Sequence, residues 1–492
     1  MMSVPKVGII SFYGSENENL DWYWKGIAQA HKELREFLEK NHVDVVDSTQ
    51  FFSKGVHTET ELNKISRKFV NEHVEAILIE TYNVPPKALF LHAVLSLPVH
   101  FALYGSFNPS LKSALGLMRS GQFIWENLRN KQAITSHRFW GVGKYMIQWI
   151  RGMSALYHLR NDTFVVFSAQ TDAFSEAEYK FILDNLGGSI SVVPISLVLE
   201  AAESISNKQA ENFLTLLKEK GLLNFLKGKT VLKDELLHQI KFLLAVKKWV
   251  NSSRMEAINV IGFDQSACEV LREQVFNIGF LSTFLPFPVG VKDSKTSFPI
   301  VGEVDETLLF STALLSKISY PVSAFSGAVN IADYHFFLVS SPWGAPAYYA
   351  GGSLEENNIL SNINIERDCE TYRDVTPGFE VSSGEMTTAN LAKLPGGRYI
   401  MQIGEGWSRE ITPEMRQNIQ WGKGWPRLAI DLGVRPYLLI QTLGSPFIAL
   451  TMKRNANEIK AVCDQLQLPV MRLDSEAAVK EFRDHFRTGR VI

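Results

Sequence analysis

Short apolar runs rich in β-branched residues recur through the first half of the chain, and each is followed by a stretch of helical spacing. Residues 7–12, 43–46, 76–81 and 98–103 are the first four such runs. Runs of this length bounded by turn formers read as strands. Their alternation with helices forces parallel pairing, because two successive parallel strands need a crossover that a helix supplies. Helices are expected over 20–40, over 58–71 with Thr58 as cap, and from Pro85, whose missing N–H costs nothing in a first turn. These units predict a flavodoxin-like N-terminal α/β domain over residues 1–160.

The pattern then restarts. Helical stretches at 110–128 and 142–159 flank residues 136–141, and new strands are expected at 163–167, 189–193 and 257–262. Helices are expected between them over 173–185, 196–203, 209–220 and 233–249, with another running to Phe276. This predicts a second α/β domain over 161–305. Past Pro299 the periodicity shortens and turn residues crowd in, as at Gly351-Gly352, Pro377-Gly378 and Pro395-Gly396-Gly397. Strands at 336–340, 379–381, 399–403 and 437–441 predict a mainly β, barrel-like C-terminal domain over 306–492. Its tail returns to helix at 457–466 and from Ser475. The expected class is α/β: two flavodoxin-like (Rossmann-like) parallel-sheet domains, then a β-rich barrel.

Length and charge narrow the partners. A chain of 492 residues exceeds one ordinary core, and a net charge of −2 gives no electrostatic footprint for nucleic acid or an anionic membrane. No apolar run is long enough to span a bilayer as a helix. The 3 cysteines, Cys268, Cys369 and Cys463, form no Cys-x-x-Cys pair, which argues against a zinc knuckle or a disulfide framework. A reducing cytoplasm is the expected setting.

The stretch 299–349 carries the chemistry. A strand-like run ends at Gly302-Glu303-Val304-Asp305, and helical spacing begins at Thr307. Asp305 is placed to cap that helix. Glu303 precedes the cap and has no such duty. A carboxylate there stands where open α/β sheets place ligands. Asp333 and His335 are two apart in a strand and share a face. Glu405, Trp407, Trp421 and Trp425 lie in Gly-rich stretches that combine acids, amides and indoles. An indole face packs on the C–H face of a sugar while polar groups take its hydroxyls, although each indole serves equally well as barrel core. Cys268, at a helix start, is expected to be a buried, inert thiol.

The motifs Glu303-Val304-Asp305, Tyr320-Pro321-Val322, the strand at 336–339 and Gly344-Ala345-Pro346 resemble, in order, those of the L-fucose/L-arabinose isomerase family. The resemblance follows the domain order through most of the chain. It implies aldose–ketose isomerisation, a proton moving between adjacent carbons through an enediol, with Glu303 as base. It implies a manganese ion, or another divalent cation, held by a Glu, an Asp and a His. Glu303 matches the Glu, and Asp333 is the nearest acid to the second ligand. The late His is absent, because Gln441 to Leu450 presents Ser445-Pro446 at that place. Weakened divalent binding is therefore expected. Asp333, His335 or Glu405 is expected to supply the second acid/base group, with Trp407, Trp421, Trp425, Gln441 and Ser445 toward the sugar. The resemblance also implies a homo-oligomer, trimer or hexamer. The loops at 13–17, 82–85 and 104–108 of the first domain would then form the rim of a neighbour's site. Two further readings stay open: a non-catalytic sugar-binding or regulatory protein, and an enzyme of another class reusing the cleft.

Overall fold

The computed structural model describes residues 4–13, 20–97, 99–128, 137–171, 176–222, 233–253, 257–285, 298–333, 336–350, 356–367, 374–418 and 424–488. The chain forms two compact units, one of residues 2–157 with 457–467, the other of 158–456 with 468–492.

The first unit is built on β1 (Lys6–Ser11), β2 (Asp44–Asp47), β3 (Ala76–Glu80), β4 (Phe101–Gly105) and β5 (His137–Trp140). They are all parallel, in the order β2-β1-β3-β4-β5. This is the flavodoxin order, with the chain reversing direction across the sheet between β1 and β3. β3 and β4 are buried along their whole length, which is why both read as unbroken apolar runs. The helix Glu59–Asn71 starts from a capping box between Thr58 and Glu61. Gly8 lets that helix come close, since a Cβ there would lie 2.7 Å from the Phe69 ring. The helix Ala456–Leu466, far along the chain, completes this unit: a Cβ at Gly152 would meet the Glu458 carbonyl at 2.7 Å.

The second unit joins a parallel sheet to a barrel. Strands β6 (Thr163–Ser168), β7 (Ser189–Pro194), β8 (Ile258–Phe263) and β9 (Ile300–Val301) pair in the order β7-β6-β8-β9. The helix Glu306–Ile318 follows. Of its 13 residues only Thr307 and Lys317 escape burial, so it is a core helix with no solvent face. It packs against β8 on one side and the barrel on the other. The remaining strands are β10 (Val322–Asp333), β11 (Phe336–Ser340), β12 (Asn364–Arg367), β13 (Val375–Gly378), β14 (Gly384–Lys393), β15 (Tyr399–Arg409), β16 (Arg427–Asp431), β17 (Phe447–Thr451) and β18 (Val470–Arg472). Six of them form an antiparallel ring, β14-β17-β10-β11-β16-β15, closed by pairing of β15 with β14, and β18 joins β15 in parallel. The β14–β15 hairpin turns through Gly396 and Gly397, at φ 81° and 74°, which only glycine adopts without strain. β12 and β13 make a separate two-stranded ribbon.

The α/β class and the barrel-like C-terminal region are thus as the sequence implies, with two local corrections. Residues 437–441 are not a strand: Pro436–Ile440 is a helix with Pro in its first turn. Leu438 and Leu439 are buried side by side while Tyr437 and Ile440 are exposed, and a half-buried strand alternates instead. Residues 379–381 are not a strand either; Glu380 alone bridges to Arg427. β16 already pairs with β11 and β15 along its two edges, which leaves little backbone for a further partner.

Candidate functional site

The second unit has a crevice of about 500 Å³ at the carboxyl ends of its parallel strands. Ser168 ends β6, Asp264 and Ser266 follow β8, and Val304, Asp305 and Glu306 follow β9. Gln170, Gln265, Glu178, Tyr179 and Lys393 complete its polar lining. Local structure explains why acids converge here. Asp264 Oδ1 accepts from the Ala267 N–H at 2.8 Å and the Ser266 hydroxyl at 2.7 Å, capping the helix Gln265–Glu273. Asp305 Oδ1 accepts from the Leu308 N–H and the Thr307 hydroxyl, both at 2.8 Å, as the sequence leads one to expect of a cap. Each cap uses one carboxylate oxygen, and the other has no hydrogen-bond partner among the described residues.

Glu306 is the most buried acid of the lining, 5% exposed. It accepts from the Ile182 N–H at 3.1 Å and the Tyr399 hydroxyl at 2.7 Å. Burial holds its carboxyl above the ordinary value, against the Tyr399 hydroxyl, the backbone N–H groups and Lys393, which pull it down. Sequence reading missed Glu306, because a residue at the first position of an apolar helix carries no mark of facing a crevice.

Glu303 stands one residue before this lining. Its backbone is left-handed, φ 44°, which non-glycine residues seldom adopt and which recurs at functional turns. Its N–H donates to Cys268 Sγ at 3.2 Å, and its carboxylate is 3.6 Å from the Arg272 guanidinium. Cys268 is buried, and burial pushes its thiol up to about 12, the value of an inert side chain.

The other residues singled out from sequence are dispersed. Glu405 Oε1 accepts the Ala456 N–H at 2.9 Å, and its own N–H donates to Asp474 at 3.3 Å. Trp407 is 40% exposed on β15, with the Arg409 and Arg454 guanidiniums 5.9 and 5.6 Å from its ring centre. Trp425 is 1% exposed and belongs to the core, so it offers no face to a sugar. Ser445 Oγ accepts the Phe447 N–H at 3.1 Å, and Gln441 lines a different pocket. Glu303, Glu405, Trp407, Gln441 and Ser445 make no hydrogen bond, ion pair or ring contact with one another. Asp333 ends β10, paired with Phe336, and its side chain lies outside the described residues, as do His335, Trp421, Cys369 and the loop residues 14–17.

The first unit holds a constellation that sequence reading missed altogether. His31, on the helix Asp21–Lys40, lies between two carboxylates that are fully buried. Its Nδ1 is 2.8 Å from Glu80 Oε1, at the end of β3, and its Nε2 is 2.7 Å from Asp47 Oδ2, at the end of β2. Both ring nitrogens face acceptors, so both donate and the ring is an imidazolium. Burial opposes that charge, but the hydrogen bonds to Asp47 and Glu80 outweigh it and raise His31 to about 10. Glu80 also accepts from Ser11 at 2.5 Å and Tyr82 at 2.6 Å. Tyr13, Tyr82 and Tyr104 fill the surroundings and are themselves buried.

No family model matches the chain, and no curated protein matches it. Among solved structures it is similar to a carbohydrate transporter from Acidothermus cellulolyticus 11B, solved in complex with myo-inositol, at 12% identity over 64% of this chain and 99% of that one. The TM-score is 0.15, too low for the likeness to carry any argument about fold or ligand. Among the described residues no three His, Cys, Asp or Glu side chains form a group able to hold a metal ion, and no helix is long and apolar enough to cross a membrane.

Proposed function

We propose that the chain acts on a small carbohydrate bound at the carboxyl edge of the second parallel sheet, with Glu303 as the base of an aldose–ketose isomerisation. The crevice carries this reading. Its volume, about 500 Å³, suits a small ligand. Its lining of hydroxyls, amides and half-used cap carboxylates suits a molecule made largely of hydroxyl donors. The reaction class comes from the resemblance of the Glu303-Val304-Asp305 region to the isomerases. In such a step the base takes the proton from the carbon beside the carbonyl and returns it to the former carbonyl carbon. The hydroxyl proton passes between the two oxygens. On this reading Lys393, which lines the crevice, is the cation available to the enediolate, and Arg272 is the ion-pair partner of Glu303.

The described residues do not fit a manganese centre at Glu303. A guanidinium 3.6 Å from its carboxylate opposes a second cation, and no other carboxylate or imidazole among the described residues is its partner. The Arg272 pair also favours a second reading, a sugar-binding protein without turnover, because it occupies the proposed base. By the same resemblance the assembly is a trimer or hexamer of identical chains. Light scattering at micromolar concentration reads this directly, and a monomer contradicts it.

Incubating the protein with a panel of aldoses and ketoses in D2O tests the reaction. Deuterium at the carbons flanking the carbonyl, or the paired isomer, is expected for one or more sugars. Glu303→Gln is expected to lower the rate by ~10²-fold or more, the loss of a positioned base. Saturable sugar binding with neither product nor exchange replaces the enzyme reading with the binding reading. A panel in which nothing binds removes both.

A further inference from the structure

A second cavity of about 460 Å³ opens in the same unit, between the β14–β15 hairpin, the residues after the helix Pro436–Ile440, and the helix Glu476–Thr488. Its character is opposite to that of the crevice. Leu394, Leu443 and Phe482 give it apolar walls, and Lys393 and Arg483 bring two cationic heads. No Asp or Glu is among the described residues that line it. Its base is fixed by Gln402, fully buried, whose amide donates to the Thr442 carbonyl at 2.7 Å and accepts from the Gly444 N–H at 3.1 Å. Asp484 engages the Nε and one Nη of Arg483 through a single oxygen, leaving the rest of the guanidinium fork for another acceptor. The Lys393 ammonium has no carboxylate partner among the described residues and stands 5.9 Å from the centre of the Tyr399 ring.

We propose that this cavity is a second binding site, for a small organic anion with an apolar body, its carboxylate taken up by Lys393 and Arg483 and its body by Leu394, Leu443 and Phe482. Lys393, with no carboxylate in ion-pair contact among the described residues, and the part of the Arg483 fork that Asp484 leaves open give the site its sign, and the apolar walls distinguish an organic acid from a bare inorganic ion. The site is coupled to the crevice through one residue. Lys393 lines both cavities, and the hydroxyl of the Tyr399 ring beneath it donates to Glu306 in the crevice at 2.7 Å. An anion held by Lys393 offsets the positive field that Glu306 now feels.

Benzoate titrated into the full chain, followed by saturation-transfer NMR and calorimetry, tests the site without reference to the sugar reaction. Benzoate is expected to bind saturably, and Lys393→Gln and Arg483→Gln are each expected to weaken it at least tenfold. Lys393→Arg, which keeps the charge, is expected to retain most of the affinity. Circular dichroism confirms that the variants are folded. Benzyl alcohol, which lacks the charge, and inorganic phosphate, which lacks the apolar body, are each expected to bind at least tenfold more weakly than benzoate. Benzoate that does not saturate, or whose affinity survives both Gln substitutions, overturns the proposal. Phosphate or benzyl alcohol binding as tightly as benzoate overturns the ligand class.

Discussion

The two parallel sheets end in different ways. Both place polar residues at the carboxyl ends of their strands, where an open sheet leaves a crevice. In the first, Ser11, Asp47 and Glu80 face inward and are consumed: His31 reaches down from a helix and joins two carboxylates, and tyrosines seal the remainder. In the second, Asp264 and Asp305 are spent only by half, on helix caps, and about 500 Å³ stays open between them. The same topology therefore yields a clamp in one place and an open crevice in the other. The difference is one side chain of opposite charge arriving from above. His31 fills the first edge, while Lys393 stands at the rim of the second and leaves it open.

The comparison breaks first at His31. His31→Leu leaves Asp47 and Glu80 buried with their hydroxyl and backbone hydrogen bonds but without a counter-charge among the described residues, apart from the Arg35 guanidinium 3.9 Å from Asp47. Removing one partner of a buried ion pair costs about 3–5 kcal/mol. Urea unfolding followed by circular dichroism is expected to show the loss as a lower midpoint. A variant as stable as the parent would mean that the clamp fastens nothing.

This constellation explains why the scaffold was legible in the sequence and the clamp was not. β1, β3 and β4 announce themselves because burial on both faces demands unbroken apolar runs. The caps Thr58 and Asp305 are legible because they act on residues three positions away. His31 meets Glu80 across 49 residues and Asp47 across 16, and no local pattern records that. A signal was present in the polar residue that closes each of three strands directly after a pair of apolar residues, Ser11, Asp47 and Glu80. The barrel misled for a related reason. Tyr437 to Gln441 has strand-forming composition, but Pro436 and the adjacent buried pair Leu438–Leu439 fix a helical turn. Around Glu303, sequence located the turn and the cap but not Arg272 or Glu306. Both are placed by the packing of helices on the sheet.

A smaller effect sharpens the same contrast through pH. The folded-state value of His31 is raised to about 10 from 6.5, so the proton is bound more tightly in the folded chain. Such a group contributes its full stability below the unfolded value and loses it as pH rises through the folded one. Asp47 acts at the other end. Burial works against its charge, but the His31 and Thr49 hydrogen bonds prevail and lower it, so its contribution is lost as pH falls through its folded value. The stability difference between parent and His31→Gln, read from urea midpoints, is therefore expected to be largest near neutrality or just below. It should shrink steadily from about pH 6.5 toward pH 10. Burial keeps the Tyr13 and Tyr82 phenols neutral across this window, so they do not cancel the trend. A difference that grows with pH would show that the ring is neutral in the folded chain.

The smallest effects belong to the open edge, and they test whether its acids are truly half-spent. Asp264 and Asp305 each cap a helix through one oxygen. A cap needs an acceptor and not a charge, so Asp264→Asn and Asp305→Asn are expected to cost a few tenths of a kcal/mol, and the two Ala variants about 1 kcal/mol each. Any sugar affinity of the crevice depends on the other oxygen as well. In Asn one of the two acceptors becomes a donor, so the Asn variants are expected to weaken sugar binding while leaving the urea midpoint almost unmoved. The first sheet offers no such separation, because every oxygen that holds the clamp together is also what keeps it folded. If Asp264→Asn and Asp305→Asn lower stability as far as their Ala counterparts, the caps need the charge. Both edges would then be structural, and the ligand site would have to lie elsewhere.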